Sequence, residues 1–306
     1  MRYARQEIFI GKEAQEQLEK STATIVGIGA LGTVVAELLA RSGVNIKLVD
    51  RDCIDETNLH RQVLFSEKDK GKTKVQCAKE KLKEINTQIK IEDYFVHLDG
   101  ENISILKADI IIDCTDNLET RYLLNEYAVK KNIPLVHGSA IQDHGFVFNI
   151  LKKPCLQCVL KEAKTTETCE IVGVLNTITH MIGALQAQEA IKILTKRVPE
   201  KDLLYVTLKN NEITKIKVNP NAHCPVCKGR YTYLDRTNHS VGAYCGAYIW
   251  KREVDTMIKK SLIEKGGTKI QNVIIFKNIT IFPHTVLIKT KTEKEARSLY
   301  SKYIGN

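Results

Sequence analysis

The sequence predicts an α/β fold, a Rossmann-like doubly wound sheet with helices on both faces, and three observations carry that expectation. Short apolar runs that end in Gly or Asp alternate with stretches of helical periodicity, as in a sheet wound by crossover helices. Residues 25–39, IVGIGALGTVVAELL, place Gly27, Gly29 and Gly32 in the spacing GxGxxG between an apolar run and a run of good helix formers. Asp50 then closes the next apolar run, IKLVD, at the distance where that pattern expects an acidic residue.

Taken in order, an opening helical segment covers about Glu13 to Leu18. Strands are expected at 23–28, 45–50, 89–97, 109–113, 134–137 and 145–151, and helices at 31–41, 72–85 and 118–131. Right-handed crossovers put ligands at the carboxyl ends of such strands, where Gly27, Asp50 and Asp113 fall. A polar segment, KKPCLQCVLKEAKTTETCE, has no clear period. A strong helix at Thr177 to Thr195 follows, then the strand-like runs LLYVTL and EITKIKV, and HCPVCKG closes the body at Gly229. Residues 1–231 form the expected main domain. Residues 232–306 form a small basic α/β appendage with a helix near 250–264, strands at 272–282 and 285–290, and a closing helix at 292–303.

With 306 residues, 43% apolar and 27% charged, the chain has the composition of an ordinary globular protein, long enough to bury a large core. No apolar stretch approaches the ~20 residues of a membrane span, and no secretory leader pattern opens the sequence, so no membrane association and a cytoplasmic location are expected. Of the net charge of +10, residues 232–306 carry +7. Such a basic face suits an acidic partner or simple solvation; no nucleic-acid motif accompanies it, and direct nucleic-acid binding is not expected.

The glycine turn is an anion cradle, because the unpaired N–H groups of the first helical turn point at whatever sits above them. Alone it leaves NAD and ATP open. The segment RDCIDETNLHRQ and then GKTK at 71–74 favour a triphosphate: Arg61 offers a planar fork and Lys74 a point charge to phosphate oxygens, and Asn58 and Gln62 add hydrogen bonds. No dyad suited to hydride transfer stands out. DCTDN, at 113–117, ends a buried apolar strand in the same crevice. Asp116 is a candidate magnesium ligand, since that ion takes one or two carboxylates plus phosphate oxygens, and Asn117 a candidate nucleotide contact. The competing role for Asp116 is to cap the helix beginning near Leu118, a role open also to Asp113 or Asn117.

Nine cysteines without an export signal argue for reduced thiols, metal or catalysis. Cys155 and Cys158 form one CxxC, Cys224 and Cys227 another, with 65 residues between the pairs. Two such knuckles offer the four thiolates of tetrahedral zinc and would pin the C-terminal part of the body; a thioredoxin-like pair is the rival and would need only one knuckle. Cys169 lies apart from both, with Lys161 and Lys164 lowering and Glu167 and Glu170 raising its thiol pKa, and its alternative is a spare loop thiol. Cys53, Cys77 and Cys114 read as core packing, and Cys245 as a spare thiol.

GIGALG, LVDRD, TNLHRQ, GKTK, DCTDN, PCLQC, TCEIVGVL, GALQAQEAIK and CPVC, in this order and after an opening RYARQ, resemble the ThiF/MoeB/HesA family over residues 1–229. The resemblance implies ATP- and magnesium-dependent adenylylation of the C-terminal glycine carboxylate of a ubiquitin-like sulfur-carrier protein ending in Gly-Gly, with release of pyrophosphate. It gives Asp50 to the ribose, Asn58, Arg61, Gln62 and Lys74 to the phosphates, and Asp116 to magnesium. It further implies a homodimer in which Arg5 reaches the neighbouring subunit's phosphates, a possible link to the carrier through Cys169, and a sulfurtransferase or cysteine desulfurase as a further partner. A terminal carboxylate, with a reference pKa of about 3.5, is ionised at pH 7 and needs no general base. Phe146 departs from the family pattern, standing where relatives usually carry a polar residue, as does NTIT after GVL. Alternatives are adenylation of a small or RNA-linked carboxylate, a non-catalytic nucleotide-binding scaffold, and an NAD oxidoreductase.

Overall fold

Five parallel strands, joined in succession by four crossovers, build the centre of the larger unit, which spans residues 1–235. In this computed structural model, residues 2–160, 172–235, 242–244, 247–251, 253–290 and 292–305 are described. The unit opens with α1 (Ala4–Ile10) and α2 (Lys12–Lys20), followed by β1 (Thr22–Val26), α3 (Ala30–Arg41) and β2 (Asn45–Asp50). Next come α4 (Lys74–Ile85), β3 (Ile91–Phe95), β4 (Ile110–Asp113), α5 (Leu118–Lys131), β5 (Leu135–Ile141) and β6 (His144–Ile150). A short α6 (Leu156–Val159), α7 (Asn176–Leu194), β7 (Leu203–Thr207) and β8 (Glu212–Ile216) complete it. The strands lie in the order β3-β2-β1-β4-β5-β6-β7-β8, parallel from β3 to β5 and antiparallel from there to β8.

The order reverses between β1 and β4, which brings the carboxyl ends of both strands to one crevice. Side chains alternate across the sheet, so Val26, Ile111, Leu135, Phe148 and Ile150 share one face and bury it against Leu123, Leu124, Tyr127 and Ala128 of α5. The opposite face packs on α3, α4 and α7. No helix among the described residues is long and apolar enough to cross a membrane.

The larger unit runs to Asp235, a few residues past the boundary read from the sequence, for a polar reason. Glu126 of α5 is 1% exposed, and its carboxylate accepts the backbone N–H groups of Thr232, Tyr233 and Leu234 at 3.0, 2.7 and 3.0 Å. Burial pushes its pKa up while the three amides pull it down. One residue earlier, Asn125 accepts from the backbone N–H of Leu156 at 2.8 Å. One turn of α5 thus grips both chain segments that flank the cysteine knuckles.

Residues 236–306 form the second unit. It contains β9 (Gly242–Tyr244), β10 (Ala247–Lys251), α8 (Thr256–Glu264), β11 (Thr268–Ile270), β12 (Val273–Phe276), β13 (Ile279–Ile281), β14 (Thr285–Lys289) and α9 (Glu293–Tyr303). Its antiparallel sheet has the order β11-β12-β13-β14-β10-β9, and Ile274, Phe276, Ile281, Val286 and Ile288 pack with Leu262 of α8 and Ala296 and Tyr300 of α9.

Several sequence expectations need correction. The helix expected from 250 starts at Thr256, where Asp255 caps it by accepting from Met257 N; the preceding residues are β10, whose Ile249 and Trp250 pair with Leu287 and Val286. The strand expected at 272–282 turns at Lys277, which has φ 53°, into the hairpin of β12 and β13. The strand at 134–137 extends to Ile141 because its small, polar HGSA stretch is held by pairing with β6, although it carries no apolar pattern of its own. The opening helix expected at about Glu13 to Leu18 is present as α2, and a further helix not expected from the sequence, α1, precedes it across Gly11 (φ 88°).

Candidate active site

The first turn of α3 faces the crevice with no side chain capping it, so its amides are free to meet an anion. The three glycines that make this turn have different physical reasons. Gly27 has φ 86°, and a Cβ there would lie 2.7 Å from the carbonyl oxygen of Cys114. At Gly32 it would lie 1.9 Å from the carbonyl oxygen of Gly27, so only glycine lets α3 start this close to β1. At Gly29 the nearest atom is Nε2 of Gln62 at 3.8 Å, which leaves the loop open on that side. Gln62 itself is 3% exposed, and its Oε1 is buried with no hydrogen-bond partner among the described residues.

Asp50, at the end of β2, braces this loop: Oδ2 accepts from Ile28 N at 2.6 Å and Oδ1 from Asp52 N at 2.7 Å. Burial pushes its carboxyl above the ordinary range against the pull of Lys74. Main-chain pairing of Ile54 with Lys72, and of Lys74 N with the carbonyl of Asp52 at 3.0 Å, folds the GKTK segment back onto the end of β2. The Lys74 ammonium, 7% exposed as a residue, consequently sits 3.4 Å from Oδ2 of Asp52. Burial alone would depress the Lys74 pKa, but the carboxylates of Asp52, Asp50 and Asp116 outweigh it and hold the pKa above the ordinary lysine value. A buried cation is thereby kept charged by its acidic neighbours.

Asn117 caps α5, its side chain accepting from Thr120 N at 2.9 Å, which leaves only its Nδ2 for a ligand. Asp116 is free of that duty and exposed to solvent, with no hydrogen bond to its carboxylate among the described residues. A bare carboxylate beside Lys74 is the hard oxygen donor that magnesium prefers. Asp113 lies below, fully buried, accepting from Nδ1 of His137 at 2.7 Å and from the backbone N–H and hydroxyl of Thr115 at 3.0 and 2.7 Å. Arg121 clamps the Thr115 carbonyl with Nε at 3.1 Å and Nη2 at 2.7 Å. Sequence reasoning missed His137 and Arg121. A signal for Arg121 was its place one turn into α5, whereas His137 arrives only through the register of β5 on β4.

Asn58 and Arg61 are partly exposed on the turn after β2, where the Asn58 carbonyl accepts from both Arg61 N and Gln62 N. The Arg61 guanidinium lies along its own turn, donating from Nη1 to Thr57 O at 3.0 Å. Arg5 is exposed on α1, apart from these residues in the hydrogen-bonding pattern. Cys169 and Cys245 lie outside the described residues. Cys77 and Cys114 are buried, as core packing requires, while Cys53 is only partly covered and pairs with Thr73 in a short antiparallel bridge.

The two CxxC knuckles meet. Cys155 Sγ lies 3.5 Å from Cys224 Sγ and 4.0 Å from Cys158 Sγ, Cys158 lies 3.6 Å from Cys227, and all four sulfurs fall within 4.8 Å of one another. Zinc–sulfur bonds of ~2.3 Å at tetrahedral angles put sulfurs about 3.8 Å apart, so the set fits that ion. Asn221 N donates to Cys158 Sγ at 3.5 Å, and backbone donors pull the Cys158 thiol pKa down, whereas burial pushes those of Cys155 and Cys227 up.

Comparison with known proteins places these residues in context. Residues 3–226 match the ThiF family. The sulfur carrier protein ThiS adenylyltransferase of Bacillus subtilis is 30% identical over 99% of both chains. The adenylyltransferase and sulfurtransferase MOCS3 of Aedes aegypti is 40% identical over 74% of this chain, which spans 55% of that longer protein. Among solved structures, Escherichia coli MccB with ATP superposes with a TM-score of 0.66 at 25% identity, covering 74% of this chain and 75% of that one.

The glycine geometry sets a test. Gly32→Ala forces a carbon into a backbone carbonyl and should cost about 1–3 kcal/mol or more in urea unfolding. Gly29→Ala should leave stability within about 0.5 kcal/mol yet weaken ATP binding. Equal destabilisation by both would refute the division of labour.

Proposed function

This chain belongs to the ThiF family, and from that membership and the geometry above we propose that it is an adenylyltransferase. It uses ATP to adenylate the C-terminal carboxylate of a ubiquitin-like sulfur-carrier protein and releases pyrophosphate. The observation that carries the reading is the uncapped, glycine-opened N-terminus of α3 together with a buried Lys74 that interacts with Asp52, Asp50 and the exposed Asp116. An ionised carboxylate attacks the α-phosphorus in line, so the protein's work is positioning and charge neutralisation rather than proton transfer.

The individual residue roles belong to the same proposal. Amides at 29–32 cradle phosphate, Asp50 faces the ribose, Asn58, Arg61, Gln62 and Lys74 meet the phosphates, and Asn117 offers Nδ2. Lys74 stabilises negative charge as the pyrophosphate departs. Magnesium held by Asp116 would supply further neutralisation of the triphosphate. Zinc held by Cys155, Cys158, Cys224 and Cys227 would be structural, tying the chain near 155 to the segment that Glu126 grips. The basic region beyond Asp235 is read as a separate extension.

A homodimer is supported by α1, where Ile8 and Phe9, 80% and 77% exposed, follow Arg5 at the i+3 and i+4 spacing of one helix face. The occupant we propose for that face is a second copy, to whose phosphates Arg5 reaches. The pathway served, whether thiamin, molybdopterin, tRNA thiolation or protein modification, follows from the carrier. Sulfur would come from a sulfurtransferase or cysteine desulfurase, and Cys169 would link to the carrier after adenylation by displacing AMP from the carrier's acyl-adenylate. A cytoplasmic location accompanies this reading.

Labelled pyrophosphate should exchange into ATP only when a cognate Gly-Gly carrier is present, and Asp116→Ala should reduce exchange by at least about a hundredfold. Cys169→Ala should keep exchange and lose sulfur transfer; loss of neither would remove that cysteine from the scheme. Mixed dimers of Arg5→Ala and Asp116→Ala subunits should regain part of the activity absent from each alone, and no recovery would argue against action across the interface. One equivalent of zinc per chain should be found by elemental analysis, and Cys224→Ser should lose it together with several degrees of thermal stability. Full stability in a zinc-free protein would overturn the structural role.

A further inference from the structure

Between the end of β4 and Asp116, each peptide is pinned by something else in the fold. The Asp113 carbonyl accepts from Gln186 Nε2 at 2.9 Å. Cys114 N donates to Val26 O at 2.9 Å, and the Cys114 carbonyl lies against Gly27. The Thr115 carbonyl is held twice by Arg121, whose Nη2 also reaches Ser139 Oγ at 3.4 Å. The Asp113 side chain organises the set, because its Oδ1 takes both donors of Thr115 and turns the chain toward Asp116.

That carboxylate is 0% exposed, and such a group persists only if its oxygens are paired. Burial opposes its ionisation, but the His137 hydrogen bond, the Arg121 guanidinium and Thr115 outweigh this and hold the Asp113 pKa below the ordinary carboxylate value. Burial also depresses the His137 pKa, and a neutral ring facing a carboxylate carries its proton on Nδ1. Nε2 has no partner among the described residues. The ring is instead covered by Phe146, with centroids 5.3 Å apart and the planes tilted by 47°.

We propose that His137 is a positioning residue for adenylation: by donating Nδ1–H to Asp113, under the cover of Phe146, it fixes the 113–116 main chain and so the placement of Asp116. The proposal rests on the reading of Asp116 as the magnesium ligand. His137 touches neither nucleotide nor metal in this scheme, and its influence passes through a single hydrogen bond to the strand end. Groups hydrogen-bonded directly to a metal ligand typically carry about ten- to a hundredfold in metal affinity, and His137 acts a step further out, so an effect at the low end of that range is expected.

The test measures Mn2+ binding by electron paramagnetic resonance in the presence of α,β-methylene ATP, which cannot transfer its adenylyl group, alongside the Mg2+ dependence of pyrophosphate exchange. His137→Val should weaken Mn2+ binding about tenfold and raise the Mg2+ needed for half-maximal exchange to match, with exchange at saturating Mg2+ within about twofold. His137→Asn, whose amide places an N–H where Nδ1 stood, should recover most of the affinity. Unchanged Mn2+ affinity in His137→Val, or Asn performing no better than Val, would overturn the proposal. Should the Val variant fail to fold, His137→Gln takes its place, since its amide reaches the Nε2 position and leaves Asp113 without its donor; unchanged affinity there is equally fatal. Asp116→Ala separates the two levels of inference. If it leaves Mn2+ binding intact, the magnesium reading fails and this proposal with it, whereas if it abolishes binding and the His137 variants do nothing, only the role of His137 fails.

Discussion

The close backbone approach among Gly27, Gly32 and Cys114 is the constraint on which the rest of the site depends. Carbonyl oxygens of Gly27 and Cys114 occupy the volume that Cβ atoms would take at Gly32 and Gly27. Two loops from different crossover units, one after β1 and one after β4, are therefore packed with no side chain between them. The start of α3 and the turn that leads to Asp116 are consequently held against each other. A triphosphate spanning from the helix N-terminus to a metal needs both ends at fixed separation, because catalysis by positioning loses its advantage when either end drifts.

Charge is distributed with the same economy. Lys74 would be an expensive buried cation by itself, and Asp50, Asp52 and Asp116 would repel one another without it. Together they form a cluster in which the acids keep the ammonium charged, and Asp50 and Asp52 take up backbone amides or the lysine. Asp116 is left with its carboxylate bare, because Asn117 has taken over the capping of α5. The division of roles between two adjacent residues leaves a free donor at the mouth of the crevice.

Helix α5 connects this crevice to the cysteine knuckles. Its N-terminus carries the DCTDN turn, and Asn125 and Glu126, about two turns along, hold the backbone at Leu156 and at 232–234. A metal that ties the two knuckles together would stabilise the segments that α5 grips, and through α5 the seat of Asp116. The sheet face against which α5 packs also carries Asp113, His137 and Phe146, so apolar burial and the polar support of the loop share one surface.

Motifs with local causes were legible in the sequence: the glycine turn, the terminal acids of the strands, the CxxC pairs, and helices whose period stood out, such as α5 over 118–131 and α7 within one residue of its expected ends. Elements whose pairing is non-local were not. HGSA becomes strand because β6 lies beside it, and YIWK becomes strand because β14 does, although neither stretch carries a decisive pattern. That Asn117 rather than Asp116 caps α5 turned on one hydrogen bond. His137 entered the site only through the register that sets it opposite Asp113. Thus the sequence by itself determined which chemistry-bearing residues stand at strand ends and helix starts, since hydrophobic period and glycine content act over a few residues. Only the tertiary structure decided which of them meet, because strand register and close backbone packing are fixed by contacts between segments far apart in the chain.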